Sequence, residues 1–199
     1  MVKAVVFDVD GVVLNSTDEN GKYLWSKNIK EDLGLTKKHF EYIYSSEWDM
    51  VTRGKKDTKE YLAEVFNNSI FDDLRITPEI YLNYWLSHDK FPNQEILDYV
   101  KTITLPCYLG TNQDEFRTKH ILKLVNGLFD SCFSSYEIGA IKPEESYYQY
   151  IENNLSLLPE EILLIDDTKV NVDAALKRGW QAYLYKQDLN DVKSKFTSL

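Results

Sequence analysis

The chain has little positive charge, few cysteines and no long apolar run. Its 199 residues carry 23 Lys and Arg against 32 Asp and Glu, which gives a formal net charge of -9. Binding to a nucleic-acid backbone needs clustered positive charge, so no nucleic-acid partner is expected. The apolar runs are only strand-sized, so neither a membrane-spanning helix nor a membrane partner is expected.

The beginning of the sequence lacks the basic region, the apolar segment and the cleavage site of a secretory signal peptide. The expected location is therefore cytoplasmic. The two cysteines, Cys107 and Cys132, lie in apolar segments with no second Cys or His at metal-binding spacing. They are expected to be reduced, buried thiols, and neither a zinc site nor a disulfide is predicted.

Apolar runs rich in β-branched and aromatic residues alternate with helical patterns along most of the chain. The strand-like runs are Ala4–Phe7, Leu105–Leu109, Cys132–Ile138, Ile162–Ile165 and Ala182–Tyr185. Helical spacing is found over Asn93–Thr102, Asp114–Val125, Glu144–Asn153 and Lys169–Arg178. This alternation predicts an α/β fold, with a parallel sheet that has helices on both faces.

The segment from residue 15 to residue 90 interrupts this alternation, because its patterns are all helical. Apolar stripes at helical spacing are formed by Phe40, Ile43, Tyr44 and Trp48, by Tyr61, Leu62, Val65 and Phe66, and by Ile80, Tyr84 and Trp85. Thr36, Thr58 and Thr77 are predicted N-caps. We predict a helical cap over residues 15–90, inserted in a core domain of residues 1–14 and 91–199.

Two pairs of carboxylates follow predicted strands. Asp8 and Asp10 follow the first strand, and Asp166 and Asp167 follow the fourth. Ligands of open α/β sheets bind at the carboxyl ends of the strands. Close carboxylates repel each other unless a cation or a shared proton compensates them, which makes Mg²⁺ the natural cofactor candidate. Asp8 and Asp10 alone would fit a solvated turn equally well, but the repetition argues against chance.

Two other segments place polar groups near predicted strand ends. Thr111 and Asn112 carry a hydroxyl and an amide that can donate hydrogen bonds to an anion. They can also belong to the N-terminal cap of the helix that starts near Asp114. Lys142 precedes Pro143 and a helical pattern, where a lysine can neutralise phosphate charge, although an isolated loop lysine usually faces solvent.

In order and spacing, these motifs resemble those of the haloacid dehalogenase superfamily, across almost the whole chain. The matching segments are Asp8-Val9-Asp10-Gly11-Val12, Thr111-Asn112, Lys142-Pro143 and Asp166-Asp167 followed by Asn171-Val172-Asp173-Ala174-Ala175. The resemblance implies a Rossmann-like core with a helical cap inserted after the first strand. It also implies the small-cap (C1) phosphatase subgroup.

The resemblance implies a role for each motif residue. Asp8 would attack phosphorus to form an aspartyl-phosphate, and Asp10 would protonate the leaving alcohol and later activate water. Thr111 and Asn112 would bind phosphoryl oxygens, and Lys142 would neutralise charge and position the nucleophile.

The resemblance also implies how the metal would be held. Mg²⁺ would be bound by a carboxylate oxygen of Asp8, the backbone carbonyl of Asp10 and the side chain of Asp167, with Asp166 acting directly or through water. Dehalogenases of this superfamily lack an acid at the position of Asp10 and need no metal. The implied function is therefore a Mg²⁺-dependent phosphatase that acts on a small phosphorylated metabolite.

Two alternatives remain open from the sequence. One is a phosphosugar mutase of the β-phosphoglucomutase type, although Asn20 stands where that mutase has a cap-hinge histidine. The other is a non-catalytic binding or regulatory protein of the same fold.

Within the cap, the segment Val51-Thr52-Arg53-Gly54 resembles a turn of small-cap phosphatases, some of which act on sugar phosphates. Arg53 is therefore a candidate substrate contact, with a structural or solvated arginine as the alternative. Nothing in the sequence indicates an oligomeric state.

Overall fold

A computed structural model describes residues 1–45 and 47–197 of the chain. Its centre is a five-stranded parallel sheet in the order β3-β2-β1-β4-β5. The strands are β1 (Ala4–Phe7), β2 (Cys107–Thr111), β3 (Ser131–Ser134), β4 (Ile162–Asp166) and β5 (Gln181–Leu184). This strand order is that of a Rossmann-like sheet, so the predicted α/β fold class is confirmed.

Strand β1 occupies the middle of the sheet because every one of its side chains is apolar and buried. It pairs with β2 on one side and with β4 on the other, so that Val6 lies opposite Tyr108 and Leu164. Val5 and Phe7 pack in one apolar cluster and Val6 packs in another. The alternation of side chains along this strand thus supplies both faces of the core.

The segment between β1 and the next core helix is helical, as the sequence predicts. It contains α1 (Ile29–Leu33), α2 (Lys37–Ile43), α3 (Trp48–Thr52), α4 (Thr58–Phe66) and α5 (Pro78–His88), with 3₁₀ turns at Leu24–Ser26 and Ser69–Phe71. Its aromatic stripes pack into an apolar cluster of their own, which Phe116 from the core joins. The division at residues 15 and 90 stays a prediction.

The remaining helices cover the two faces of the sheet. They are α6 (Gln94–Val100), α7 (Glu115–Val125), α8 (Ser135–Ile138), α9 (Glu145–Leu155), α10 (Lys169–Arg178) and α11 (Leu189–Thr197), with a 3₁₀ turn at Pro159–Glu161. Helices α6, α7 and α11 pack in the cluster that contains Phe7, and α9 and α10 pack in the cluster that contains Val6. Helices on both faces were predicted and are confirmed.

One predicted strand is too long. We predicted a strand over Cys132–Ile138, but β3 ends at Ser134 and α8 follows at once. The helical turn is closed by Gly139, whose φ of 79° is a left-handed conformation that glycine adopts without strain. The hydroxyl of Ser135 also donates to the Thr52 carbonyl at 2.6 Å, which anchors this turn outside the sheet.

Two details of the helical segment also differ from prediction. Thr36 and Thr77 are N-caps as predicted, but α4 is capped by Asp57, whose carboxylate accepts two backbone N–H groups of the first turn, and Thr58 is its first residue. In α5, Trp85 is buried as predicted, but Ile80 is 40% exposed and the inward stripe contains Tyr81 and Leu82 instead.

In the part of the chain that the structure describes, none of the helices has the length and apolar character needed to cross a lipid bilayer.

Candidate active site at the carboxyl edge of the sheet

Three side chains of the predicted motifs meet at one edge of the sheet. Asp8 directly follows β1, Thr111 ends β2, and Asp166 ends β4. Because these strands are neighbours and parallel, their carboxyl ends bring the three residues together. All three are at least nine-tenths buried.

Lys142 links all three of these strand ends. Its Nζ donates to Asp8 Oδ1, Asp166 Oδ2 and the Gly110 carbonyl, each at 2.7 Å. The lysine is only 3% exposed, so it is not the solvent-facing loop residue that an isolated lysine usually is. A buried ammonium that donates to two carboxylates holds Asp8 and Asp166 close to each other despite their like charges.

Asn112 holds the Lys142 backbone in place. Asn112 Nδ2 donates to the Lys142 carbonyl at 2.9 Å, and the Lys142 N–H donates to Asn112 Oδ1 at 2.8 Å. The peptide bond between Lys142 and Pro143 is cis. The Asn112 side chain is thus engaged with the protein backbone, and its contact with a substrate stays a prediction.

The pKa values of Asp8 and Lys142 are shifted upward together. Burial raises the pKa of Asp8 to about 7, with the Lys142 charge opposing the shift and Asp166 adding to it. Burial disfavours the charged form of Lys142 and so lowers its pKa. The negative charges of Asp8 and Asp166 have the larger effect and hold the pKa of Lys142 above its usual value. Two carboxylates thus face one ammonium group, and this excess of negative charge favours the binding of a further cation.

The acidic groups here have the chemistry of a hard-cation site. Oxygen atoms of Asp8, Asp166 and Asp167 lie within 4.8 Å of one another. Gly11, with a φ of 79°, lies against Asp167, and a Cβ at this position would overlap the Asp167 carboxylate. Carboxylate oxygens clustered beside a glycine that leaves room for them fit Mg²⁺, which prefers oxygen ligands.

Asp166 is fixed by its own neighbours. Its Oδ1 accepts the Thr168 N–H at 2.8 Å, and Asn171 Nδ2 lies 3.2 Å from Oδ1 and 3.1 Å from Oδ2. Asn171 belongs to the fourth motif of the resemblance, and these contacts give it a structural role at the site. Asp167, by contrast, is exposed, and its Oδ1 accepts the Thr168 hydroxyl at 3.1 Å.

Asp10 has entirely different partners from Asp8. Arg117 Nη1 donates to Asp10 Oδ2 at 2.5 Å, and Arg117 Nη2 donates to Asp10 Oδ1 at 2.6 Å. Gln113 Nε2 donates to Asp10 Oδ2 at 2.6 Å, and the Ser16 hydroxyl donates to Oδ1. Burial disfavours the ionised form of Asp10 and so raises its pKa. The charge of Arg117 and these hydrogen bonds have the larger combined effect and hold the pKa of Asp10 below its usual value.

Sequence reasoning missed Arg117, Gln113 and Ser16. A signal was available for Arg117, because it precedes Ile121 and Val125 at four-residue spacing and therefore lies on the inward stripe of α7. An arginine in such a stripe is buried and needs an anionic partner. For Gln113 and Ser16 no comparable signal exists in the sequence.

Arg53 lies where the helical segment meets the core. Its Nη1 and Nη2 donate to the two carboxylate oxygens of Glu144, both at 2.7 Å, and its Nε donates to Asp49 at 2.6 Å. Glu144 is two residues beyond Lys142, so this ion pair joins α3 to the lysine loop. All three guanidinium nitrogens are engaged in these pairs, and the predicted contact of Arg53 with substrate stays a prediction.

Sequence comparison finds a phosphatase among the relatives. The D-ribitol-5-phosphate phosphatase of Bacteroides thetaiotaomicron is 22% identical over 198 residues, which cover 92% of this chain and 91% of that protein. The enolase-phosphatase E1 of Yersinia enterocolitica is 37% identical over 68 residues, covering 34% of this chain and 29% of that protein.

Structure comparison and a family model give the fold and the family of the chain. A HAD family enzyme of Bacteroides thetaiotaomicron, solved with magnesium and inorganic phosphate, superimposes with a TM-score of 0.78 at 19% identity and covers 96% of this chain and 99% of that one. The family model described as haloacid dehalogenase-like hydrolase matches residues 2–179. The chain therefore belongs to the haloacid dehalogenase-like hydrolases.

Proposed function

We propose that the protein is a Mg²⁺-dependent phosphomonoesterase that acts on a small phosphorylated metabolite through an aspartyl-phosphate. The observation that carries the proposal is the arrangement around Asp8. This buried carboxylate is bound through Oδ1 by Lys142 and by the Val9 N–H, both at 2.7 Å. Within the described part of the chain its Oδ2 accepts no hydrogen bond, which leaves that oxygen available to attack a phosphorus atom.

The proposed reaction has two displacements at phosphorus. Asp8 Oδ2 forms a bond to phosphorus as the bond from phosphorus to the ester oxygen breaks, and Asp10 gives a proton to the departing alcohol. Because Arg117 lowers the pKa of Asp10, this step uses the minor protonated form of Asp10, which the second displacement restores. Water then attacks the phosphorus of the aspartyl-phosphate and passes a proton to Asp10. This step releases inorganic phosphate and restores the Asp8 carboxylate.

Phosphate binding falls to groups at the same sheet edge. In the described part of the chain the Thr111 hydroxyl makes no hydrogen bond, so it is free to donate to a phosphoryl oxygen. Lys142 supplies positive charge next to Asp8. We propose Asn112 as a further phosphate contact only through the second hydrogen of its amide, since its other polar atoms bind the Lys142 backbone.

The side chains of Asp8, Asp166 and Asp167 and the backbone carbonyl of Asp10 would hold Mg²⁺. When bound, the ion neutralises negative charge on the phosphate and on the carboxylates, so that one anion can approach another.

Turnover of 4-nitrophenyl phosphate with and without Mg²⁺ tests this function. We expect metal-dependent hydrolysis that EDTA abolishes, and a loss of about 10⁴-fold or more in kcat for Asp8→Asn. Asp173→Asn is a matched control, because Asp173 is an exposed residue of α10 that pairs with Lys169. Normal turnover by Asp8→Asn would overturn the mechanism. Correct folding and Mg²⁺ binding without turnover of any phosphate ester would favour the non-catalytic alternative.

A polyol or sugar phosphate is the substrate class that we propose. Trp85 Nε1, a donor, and Asp114 Oδ2, an acceptor, are buried without a hydrogen-bond partner among the described residues. Both residues border Arg117, since the Trp85 ring lies 5.9 Å from the guanidinium carbon and Asp114 caps the helix that carries Arg117. Hydroxyl groups both donate and accept, so hydroxyls of the substrate would satisfy the two groups.

Entry of such a substrate would require the helical cap, residues 15–90, to move away from the core of residues 1–14 and 91–199, as lids of enzymes do. The name of the ribitol-phosphate relative is consistent with this class.

Trp85→Phe tests the proposed substrate class, because it removes the indole N–H and keeps an aromatic ring. It should lower kcat/KM for ribitol 5-phosphate by about 2- to 10-fold, the value of one hydrogen bond, and leave 4-nitrophenyl phosphate unaffected. Trp25→Phe is the matched control, and an equal loss on both substrates would contradict the hydroxyl contact.

The mutase alternative gains no support from the cap hinge. Asn20, at the position where the mutase has its histidine, is exposed, and its backbone N–H donates to Asp18 in a surface turn. Product analysis separates the two reactions, because a phosphatase releases inorganic phosphate whereas a mutase returns an isomeric phosphosugar.

A further inference from the structure

Arg117 connects three parts of the chain that lie far apart in the sequence. It belongs to α7 of the core, and both of its terminal nitrogens donate to Asp10, which follows β1. Its Nε donates to Asp89 Oδ2 at 2.8 Å, and Asp89 is the residue that ends α5 of the helical segment. Arg117 and Asp89 are 3% and 1% exposed, so the guanidinium lies buried between two carboxylates.

We propose that Arg117 is a positioning residue for Asp10, holding the acid/base carboxylate in place by a two-point contact and coupling it to Asp89. This inference rests on the proposed phosphatase function, in which Asp10 serves the leaving group and the attacking water. Arg117 acts through Asp10 in this proposal and does not contact the substrate.

The geometry of the contact explains why an arginine stands here. A guanidinium is planar and presents parallel N–H groups that match both oxygens of one carboxylate, so it fixes the orientation of that carboxylate as well as its position. A lysine ammonium is a point charge on a flexible stem and cannot do this. The Trp85 ring, 5.9 Å from the guanidinium carbon, covers Arg117 on the side of the helical segment.

Asp10 needs such support because the strand does not provide it. Strand β1 ends at Phe7, and Asp10 stands in the irregular segment beyond it. Asp10 is also less buried than Asp8, with 30% of its side chain exposed. A displacement of about 1 Å at a reacting group can cost about 10²-fold in rate, so a carboxylate on a turn gains from a rigid partner on a helix.

The test uses two esters that differ in how much they need protonation of the leaving group. Phenolate is a far stronger base than 4-nitrophenolate, so hydrolysis of phenyl phosphate depends more on Asp10. For Arg117→Met we expect kcat/KM to fall about 10²-fold with phenyl phosphate and less than about 10-fold with 4-nitrophenyl phosphate. The conservative variant Arg117→Lys should lie between Arg117→Met and the wild type in the ratio of the two values.

Arg178→Met is the matched control. Arg178 also makes a two-point contact with a carboxylate, that of Glu152, but at the C-terminal end of α10, whereas Asp166 and Asp167 precede the N-terminal end of this helix. Its loss should leave the ratio of the two esters unchanged. Asp89→Asn provides a second variant that keeps the shape of the side chain, and we expect it to shift the ratio in the same direction by a smaller factor, which keeps the test decisive if Arg117→Met does not fold.

The outcomes separate this inference from the proposed function. A loss of activity that is equal for the two esters in folded Arg117→Lys and Asp89→Asn would assign Arg117 a structural role only and overturn the inference, while the phosphatase function would stand. An inactive wild type on both esters would overturn the proposed function and the inference together.

Discussion

Asp8 and Asp10 are two residues apart in the sequence, yet their surroundings differ in almost every respect. Asp8 shares the ammonium of Lys142 with Asp166, and burial raises the pKa of Asp8 to about 7. Asp10 receives both arms of Arg117, which hold the pKa of Asp10 below its usual value. Around Asp8, part of the negative charge of the carboxylates is left without a positive partner, and a divalent cation would supply that partner. Around Asp10, the protein itself balances the carboxylate charge.

Replacing Lys142, the cation that contacts Asp8, should have the largest effect on the stability of the protein. Lys142→Met leaves Asp8 and Asp166 buried without their shared partner, and we expect the free energy of unfolding to fall by about 3–5 kcal/mol. Mg²⁺ should restore part of this loss, because it supplies charge at the same place. Urea denaturation with and without Mg²⁺ measures both effects. Lys169→Met removes an exposed pair and should cost at most about 1 kcal/mol; a similar cost for the two variants would contradict this account.

Asp10→Asn removes the acid and base on the other side of the site. We expect kcat to fall by about 10²- to 10⁴-fold, because the proton transfers are lost. Mg²⁺ affinity should change little, since the carbonyl that would bind the ion belongs to the backbone. Steady-state kinetics and calorimetric titration with Mg²⁺ measure the two quantities. A large loss of Mg²⁺ affinity would show that the two surroundings are not separate.

Gln113→Met tests how much a single neutral hydrogen-bond donor contributes to holding Asp10. It removes one hydrogen bond of 2.6 Å and leaves the two-point contact with Arg117. A hydrogen bond to a charged group contributes about 1.5–3 kcal/mol, so kcat/KM should fall by about 10- to 100-fold at most, less than for Asp10→Asn. The same kinetic assay with phenyl phosphate measures it, and an effect as large as that of Asp10→Asn would assign Gln113 a direct role.

The smallest effect is expected from the two thiols, which belong to neither set of surroundings. Burial raises the pKa of Cys107 and that of Cys132 to about 12, so both remain protonated between pH 6 and pH 9. The pH profile of kcat/KM for the double variant Cys107→Ser, Cys132→Ser should therefore follow that of the wild type. A shifted profile would mean that a thiol, and not a carboxylate, titrates in this range.

Several features of the fold were predictable because they depend on neighbouring residues in the chain. The apolar run Ala4–Phe7 predicted a buried strand, and β1 has those bounds. Gly179 follows a run of helical spacing, and α10 ends with that glycine in a left-handed conformation. Thr77 before Pro78 predicted the start of α5. In each case one or two local interactions decide the conformation.

Other features were not predictable because two local choices were nearly equal. Asp57 and Thr58 both suit an N-cap, and the carboxylate took that place. The residues after Ser134 have enough apolar character for a strand, but contacts with Thr52 in the helical segment hold them in a helical turn. Trp48 shares the spacing of the stripe that begins at Phe40 but belongs to a separate helix, α3.

The fold class, the order of the motifs and the placement of Asp8 and Asp166 at strand ends could be predicted from local patterns, because apolar periodicity and caps act over a few residues. The motifs implied that Lys142 serves Asp8, but only the tertiary structure pairs Arg117 with Asp10 and Lys142 with Asp166. Lys142 is 134 positions from Asp8 and Arg117 is 107 positions from Asp10. Contacts at such separations follow from strand order and helix packing, which bring distant segments together without leaving a local pattern in the sequence.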